Sequence, residues 1–422
     1  MTPPRNCSGR MGGAIAVALL AALLPAPASA EAAGGSSHLF GVNVQTHPSG
    51  AEFEAMREGG VATYRWTISW PGVQPEPQSR PDWTATDPVM ANLAENGIEA
   101  LPVLYGSPCF VVQCPGGDSP PVSPQPPIGS TEARLGWARF LGELAGRYGP
   151  GGSFWSENPS LPEQPIRLWQ IWNEPNTLQF YRPAPSALGY AELLELSSNA
   201  IKSVDPKATI MLGGLPGNPH QPGSIDGPRF LDELYRLGAQ RHFDAVAVHP
   251  YSPDLAGVRS QVAAARFVVA AHADTDTAIW VTELGWGATP SGDGRLILTV
   301  DGQAEMLRRS FGLLAARRDE WNVGGVLWYA WRDPPRGQPA CEWCRTAGLL
   351  DADGNPRPSW TAFAELSGGT PVSPGELQGN GGSGDDGAGD VGPLPVLALI
   401  AAALALAGAG AAWLARRRAP RR

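Results

Sequence analysis

The chain has 422 residues, with 40 acidic against 31 basic side chains and a formal net charge of −9. An acidic balance of this kind presents no positive surface to nucleic acid or anionic polymers, and it suits an uncharged substrate better. The length allows one large core rather than requiring several domains.

Taken in chain order, residues 1–30 read as a signal peptide. Arg5 and Arg10 lie in a basic start, residues 12–24 are apolar, and Ala28-Ser29-Ala30 is a small-x-small cleavage site. Residues 39–44 (LFGVNV) and 63–70 (TYRWTISW) predict the first two strands. Asp87-Pro88 opens a helix with Val89, Met90 and Leu93 on its apolar stripe, and Gly97 ends it before a third strand at 98–104. From Ser130, the spacing of Ala133, Trp137, Phe140, Leu141, Leu144 and Tyr148 predicts a second helix. Residues 168–172 form the fourth strand, and Tyr190, Leu193, Leu194, Ser197 and Ile201 mark the helix after it. The alternation continues with strands at 209–212, 243–248, 278–282 and within 323–331. Helices are expected at about 228–237, 258–271 and 303–317, and a closing helix at 360–366.

Residues 367–393, rich in Gly, Ser and Asp, have little to bury and are expected to form a flexible tether. Residues 394–415 are almost wholly apolar and are followed by RRRAPRR at 416–422. About 20 apolar residues cross a bilayer, and arginines favour the cytoplasmic side. The expectation is one transmembrane helix anchoring the chain in the cell membrane, with residues 31–366 outside the cell.

Eight strands separated by helices, several of them continuous apolar runs, predict an α/β (β/α)8 TIM barrel. An open doubly wound sheet is the main competitor, but neither GxGxxG nor GxxxxGK[ST] stands at the first turn. Gly213-Gly214 and Gly324-Gly325 read as turns or close-packing sites. Cys7 leaves with the signal; export favours local disulfides Cys109–Cys114 and Cys341–Cys344. No histidine or second CxxC completes a zinc set, and residues 351–355 (DADGN) lack EF-hand spacing. No metal, cofactor or obligate protein partner is expected.

In such a barrel, chemistry sits above the C-terminal strand ends. Glu174 follows the fourth strand in WQIWNEPN, and Glu283 follows the seventh in WVTELGWG. His249 and Tyr251 follow the sixth, Arg65 lies on the second, and Trp328, Tyr329 and Trp331 lie near the end of the eighth. An isolated strand-end glutamate is more often a cap or an ion-pair partner. Two of them converging over one pocket suit glycosidic cleavage, where the leaving oxygen needs a proton while the anomeric carbon gains positive charge. Most of Trp66, Trp70, Trp169, Trp172, Trp280 and Trp286 belong to packing.

WQIWNEPN and WVTELGWG together resemble the retaining glycoside hydrolases of clan A, with family 39-like and family 5-like proteins the nearest groups. The resemblance spans roughly residues 39–366. It implies that Glu174 is the acid/base and Glu283 the nucleophile, and that Asn173 contacts the sugar 2-hydroxyl. It places substrate contacts at Arg65, His249 and Tyr251, with an aromatic platform at Trp328 or Trp331. The expected activity is hydrolysis of a β-linked polysaccharide or oligosaccharide. A transglycosylase using the same first half-reaction, and a catalytically silent carbohydrate-binding protein, are the alternatives.

Overall fold

The computed structural model describes residues 39–380 except 78, 115–121, 220 and 339; side chains are described up to 377. Eight parallel strands alternate with helices along the chain: β1 Phe40–Asn43, β2 Thr63–Ser69, β3 Glu99–Tyr105, β4 Leu168–Ile171, β5 Thr209–Leu212, β6 Ala245–His249, β7 Ala278–Leu284 and β8 Val323–Tyr329. Each pairs in parallel with the next, and β8 returns to pair with β1, which closes the barrel. The expected (β/α)8 architecture is therefore the one observed.

The helices after the strands are α1 Gly50–Glu58, α2 Asp87–Asn96, α3 Thr131–Tyr148, α4 Ala187–Lys202, α5 Gly227–Arg236, α6 Leu255–Ala271, α7 Val300–Ala316 and α8 Pro358–Ser367. Side chains of Ser49, Ser130, Ser186, Asp254 and Thr299 cap five of their starts. Each such oxygen satisfies a backbone N–H that the first helical turn leaves without a partner. α1 escaped the periodicity reading because it is short, yet Ser49-Gly-Ala-Glu carries its start. Ser49 and Glu52 form a reciprocal capping box. Buried Glu52 also accepts from Trp331 Nε1 at 3.0 Å and from Arg332, which ties α1 to the chain leaving β8.

Side-chain alternation divides the core into two layers. Leu101, Leu168, Met211, Ala245, Ala247 and Leu327 form a small cluster with Trp280, while the larger apolar cluster packs strands against helices. Gly324 and Gly325 make room for Trp280: a Cβ on either would lie 2.3 Å from its ring. Trp66, Trp70, Trp169, Trp172 and Trp286 are all buried, in keeping with packing roles.

Two expectations need correction. No helix among the described residues is long and apolar enough to cross a membrane. The single-pass membrane placement is accordingly withdrawn, along with the anchor and the extracellular orientation deduced from it. Residues 394–415, on which it rested, lie outside the described residues, as do the expected signal peptide and basic tail. The tether expected from 367 is also structured at its start. Thr370 N donates to Glu58 O at 2.7 Å, Trp360 Nε1 donates to Val372 O at 3.0 Å, and Pro374–Asn380 is helical. Composition missed this because the stabilising partners are specific tertiary ones, Glu58 O on distant α1 and the Trp360 indole on α8.

Both expected disulfides are present, Cys109–Cys114 with Cα atoms 5.4 Å apart and Cys341–Cys344 with Cα atoms 5.0 Å apart. The DADGN stretch is a polar turn in which Asp351 Oδ1 accepts from the backbone N–H groups of Asp353 and Asn355.

Candidate active site

The site assembles over the C-terminal strand ends because register brings polar residues level there. Asn43 on β1 stands opposite Arg65 on β2 and Tyr329 on β8. Two positions before these, Gly41 pairs with Thr63 and with Leu327 of the interior cluster. Period two then carries Asn43, Arg65 and Tyr329 to the inner face at the mouth.

Arg65 is the hub. It donates from Nη1 to Glu283 Oε1 at 2.6 Å and to Asn43 Oδ1 at 2.5 Å, from Nε to Gln170 Oε1 at 2.6 Å, and from Nη2 to Asn173 Oδ1 at 3.1 Å. Its side chain is 5% exposed, so each of these bonds acts in a weakly screened setting. Gln170 donates to Leu212 O at 2.9 Å, and Asn43 Nδ2 donates to Thr282 O at 2.8 Å. The polar inner layer is thus satisfied from strand to strand, as a buried network must be.

Glu174 sits where the chain bends sharply out of β4. Trp172 has φ 68° and Glu174 has φ 41°, both left-handed and costly for side chains of this size. Tertiary bonds hold the bend: Trp172 Nε1 donates to Phe180 O at 2.6 Å, and Thr177 N and Oγ1 both donate to Glu174 O at 2.9 Å. Asn176 Nδ2 donates to Pro216 O and Ile225 O, pinning the next loop. Apolar WQIW therefore ends in Asn-Glu-Pro-Asn because the last four residues build a turn that presents one carboxylate.

Glu283 lies within β7, where a register shift against β8 occurs between Val281 and Leu284. Its Oε2 accepts from Tyr251 OH at 2.8 Å. Fully buried His249 spans the two acids: Nδ1 is 2.8 Å from Glu174 Oε1 and 3.6 Å from Glu283 Oε2, while Nε2 meets Thr282 Oγ1 at 3.0 Å. Gly214 leaves space for that ring, since a Cβ there would lie 1.9 Å from Nε2.

One oxygen of Glu174, one of Glu283 and a His249 ring nitrogen lie within 4.8 Å of one another. A cation at this trio would face the Arg65 guanidinium already bonded to Glu283, and Tyr251 occupies the other Glu283 oxygen. The arrangement is that of a hydrogen-bonded acid pair.

The two carboxyls differ in proton affinity. Burial raises Glu174 above the ordinary value, and the nearby Glu283 charge adds to this against the pull of His249 and Arg65. Burial also works to raise Glu283, but attraction to His249 and Arg65 and the bonds from Tyr251 and Arg65 outweigh it, so Glu283 falls below the ordinary value. Glu174 therefore holds its proton more tightly than Glu283 does.

Of the sequence-derived candidates, Arg65, Asn173, Glu174, His249, Tyr251 and Glu283 converge. Trp328 and Trp331 do not. Trp328 is buried against Trp286 and Phe311, with Nε1 donating to Ala347 O at 2.9 Å. Trp331 packs on Trp360 and bonds Glu52. Trp328 is one residue from Leu327 and so belongs to the opposite face of β8; Tyr329 takes the inner position instead. The sequence reading also missed Asn43, Gln170 and Thr282. Gln170 had a signal, being an amide amid buried apolar neighbours that must find partners.

No protein-family model and no curated protein sequence matches this chain. Solved structures do match, and they share the (β/α)8 fold. A family 39 glycoside hydrolase from the gut symbiont Bacteroides cellulosilyticus WH2 matches with TM-score 0.57 and 22% identity, over 79% of this chain and 64% of that one. The chain thus spans less than two thirds of that protein. A family 39 β-xylosidase from Caulobacter crescentus matches with TM-score 0.56 and 21% identity, over 80% of this chain and 72% of that one. A GH5_18 protein from Streptomyces cattleya, solved with Manβ1-4GlcNAc, matches with TM-score 0.56 and 17% identity, over 78% and 80%. At these identities the likeness is one of fold.

Proposed function

We propose that this protein is a retaining glycoside hydrolase cleaving β-linked O-glycosidic bonds of an oligosaccharide or polysaccharide, with Glu174 as acid/base and Glu283 as nucleophile. The observation that carries the reading is the acid pair: oxygens within 4.8 Å and proton affinities displaced in opposite directions. An inverting enzyme separates its carboxyls by about 6.5–9.5 Å to admit a water, whereas a retaining pair stands about 5–5.5 Å apart.

In the first half-reaction an ionised Glu283 oxygen attacks the anomeric carbon. The bond from that carbon to the leaving oxygen breaks, and Glu174 gives the oxygen its proton. Arg65 and Tyr251 hold the Glu283 oxygens in place, each by one bond. In the second, water attacks the glycosyl ester, Glu174 takes the water proton, and Glu283 leaves as carboxylate. Asn173, fixed through Arg65 Nη2, is suited to the sugar 2-hydroxyl, and Tyr329 beside Asn43 replaces Trp328 and Trp331 as the aromatic floor. β-Linkage is supported by the structural neighbours, a β-xylosidase and a protein bound to Manβ1-4GlcNAc.

The test is product stereochemistry. Incubated with β-linked gluco-, xylo- and manno-oligosaccharides, the protein should release the β-anomer first, as followed by proton NMR. Initial release of the α-anomer would overturn the retaining assignment. A sugar acceptor added in excess separates hydrolysis from transfer, because transfer yields a longer glycan instead of a free reducing end.

A further inference from the structure

The loop after β8 carries an aromatic side chain that the cleavage chemistry above does not use. Trp343 begins the short helical turn Trp343–Thr346 between Cys341 and Cys344, so the local disulfide closes directly around it. Its ring centroid lies 4.9 Å from that of Tyr251 and 5.4 Å from that of Tyr329. One neighbour holds Glu283; the other is the inner aromatic of β8.

The loop is anchored on several sides. Ala288 N donates to Thr346 Oγ1 at 3.1 Å, and Gln303 Nε2 donates to Thr346 O at 3.2 Å. Gly287 packs so closely on the Trp343 backbone that a Cβ there would lie 2.6 Å from Trp343 O. Tyr329, Ala330, Ala340, Cys341, Cys344 and Ala347 form their own apolar cluster beneath the ring. Despite this support, Trp343 remains only partly buried.

Trp343 lines a pocket of about 220 Å³ that also meets His249, Tyr251, Asn218, Gln261 and Arg295. His249 and Tyr251 are the residues bonded to Glu174 and Glu283, so the pocket begins where the acid pair ends. Its lining combines the aromatic rings of Trp343 and Tyr251 with the amides of Asn218 and Gln261 and the charged Arg295 and Glu342. Sugar rings present that same pairing of an apolar C–H face and a hydroxyl edge.

We propose that this pocket is a sugar subsite adjoining the cleavage position, in which Trp343 stacks on a pyranose ring and the Cys341–Cys344 bond fixes the stacking plane. The inference rests on the glycosidase reading and assigns the residue that selects oligosaccharides over single glycosides. The subsite recognises a ring beyond the one attacked by Glu283, so it contributes nothing to the binding of a glycosyl fluoride, whose leaving group carries no ring.

The experiment compares the whole protein with Trp343→Ala, Trp343→Phe and Cys341→Ser/Cys344→Ser. Each is assayed on a β-glycosyl fluoride and on the β-1,4-linked trisaccharide of the same sugar, across the glucose, xylose and mannose series. Trp343→Ala should raise KM for the trisaccharide about tenfold more than it raises KM for the glycosyl fluoride. Trp343→Phe should recover most of the loss. The double serine variant should raise the trisaccharide KM in the same direction, as should mild reduction of the native protein but not of Trp343→Ala. Equal losses on both substrates would overturn the subsite, since Trp343 would then act through the acid pair. Unchanged trisaccharide kinetics would overturn it as well.

Calorimetry of the three trisaccharides with Glu283→Gln, and with Glu283→Gln carrying Trp343→Ala, separates the two readings. Binding that depends on Trp343 in the absence of any turnover by the native protein would retain the subsite and reject the hydrolase. Binding that is independent of Trp343, or no binding at all, would reject the subsite.

Discussion

The mouths of β4 and β7 carry the same residue type, yet they are built differently. Glu174 stands outside its strand on a left-handed turn, supported through its backbone by Thr177. Glu283 stays within its strand and is supported through its carboxylate by Arg65 and Tyr251. Their side-chain exposures are nearly equal, 14% and 12%, so burial alone cannot separate them. What separates them is where the positive charge and the phenol point. Two identical side chains at nearly equal depth have their proton affinities displaced in opposite directions by their partners.

The comparison breaks most severely if Glu283 is replaced. Glu283→Gln should lower kcat by about 10⁴-fold or more, because an amide cannot form the glycosyl ester of the proposed mechanism. A residual rate within tenfold of native, measured after excluding deamidation by mass spectrometry, would remove Glu283 from the reaction.

Glu174→Gln should cost about 10²–10⁴-fold on substrates with sugar leaving groups. On a 2,4-dinitrophenyl glycoside the loss in kcat/KM should nearly vanish, because that leaving group departs without a proton. Equal losses on both substrates would contradict the acid role.

Tyr251→Phe tests the difference in partners directly. Removing a hydrogen bond to a charged group costs about 1.5–3 kcal/mol, so kcat/KM should fall by about 10- to 100-fold. The same bond depresses Glu283, so its loss should move the acidic limb of the kcat/KM profile to higher pH. An unmoved acidic limb would show that Tyr251 does not tune this carboxyl.

In the native protein the sign follows from the two displacements. Glu283 must be ionised, and its value lies below the ordinary 4.5, so activity is lost as pH falls through that lowered value. Glu174 must be protonated, and its value lies above 4.5, so activity is lost as pH rises through that raised value. The profile should be a bell with limbs on either side of 4.5. The smallest catalytic effect is expected at Trp328. Trp328→Phe should destabilise the barrel by about 1–3 kcal/mol by core loss, seen as a lower Tm, with KM unchanged on every substrate.

Much of this protein is legible along the chain. Strand and helix order follows from apolar period and from caps such as Ser130 and Thr299, which are local properties. WQIWNEPN and WVTELGWG marked both glutamates, and the short Cys109/Cys114 and Cys341/Cys344 gaps marked two closable loops. Tertiary structure decided what depends on neighbours distant in sequence. Closure of β8 onto β1 put Tyr329 inside and Trp328 outside, a one-residue distinction that apolar content cannot make. Pairing of 368–372 with α1 and α8 ordered a segment whose composition suggests none. The opposite proton affinities of Glu174 and Glu283 arise only when β2, β4, β6 and β7 bring Arg65, His249 and Tyr251 within bonding distance, because electrostatic attraction depends on separation in space and not along the chain.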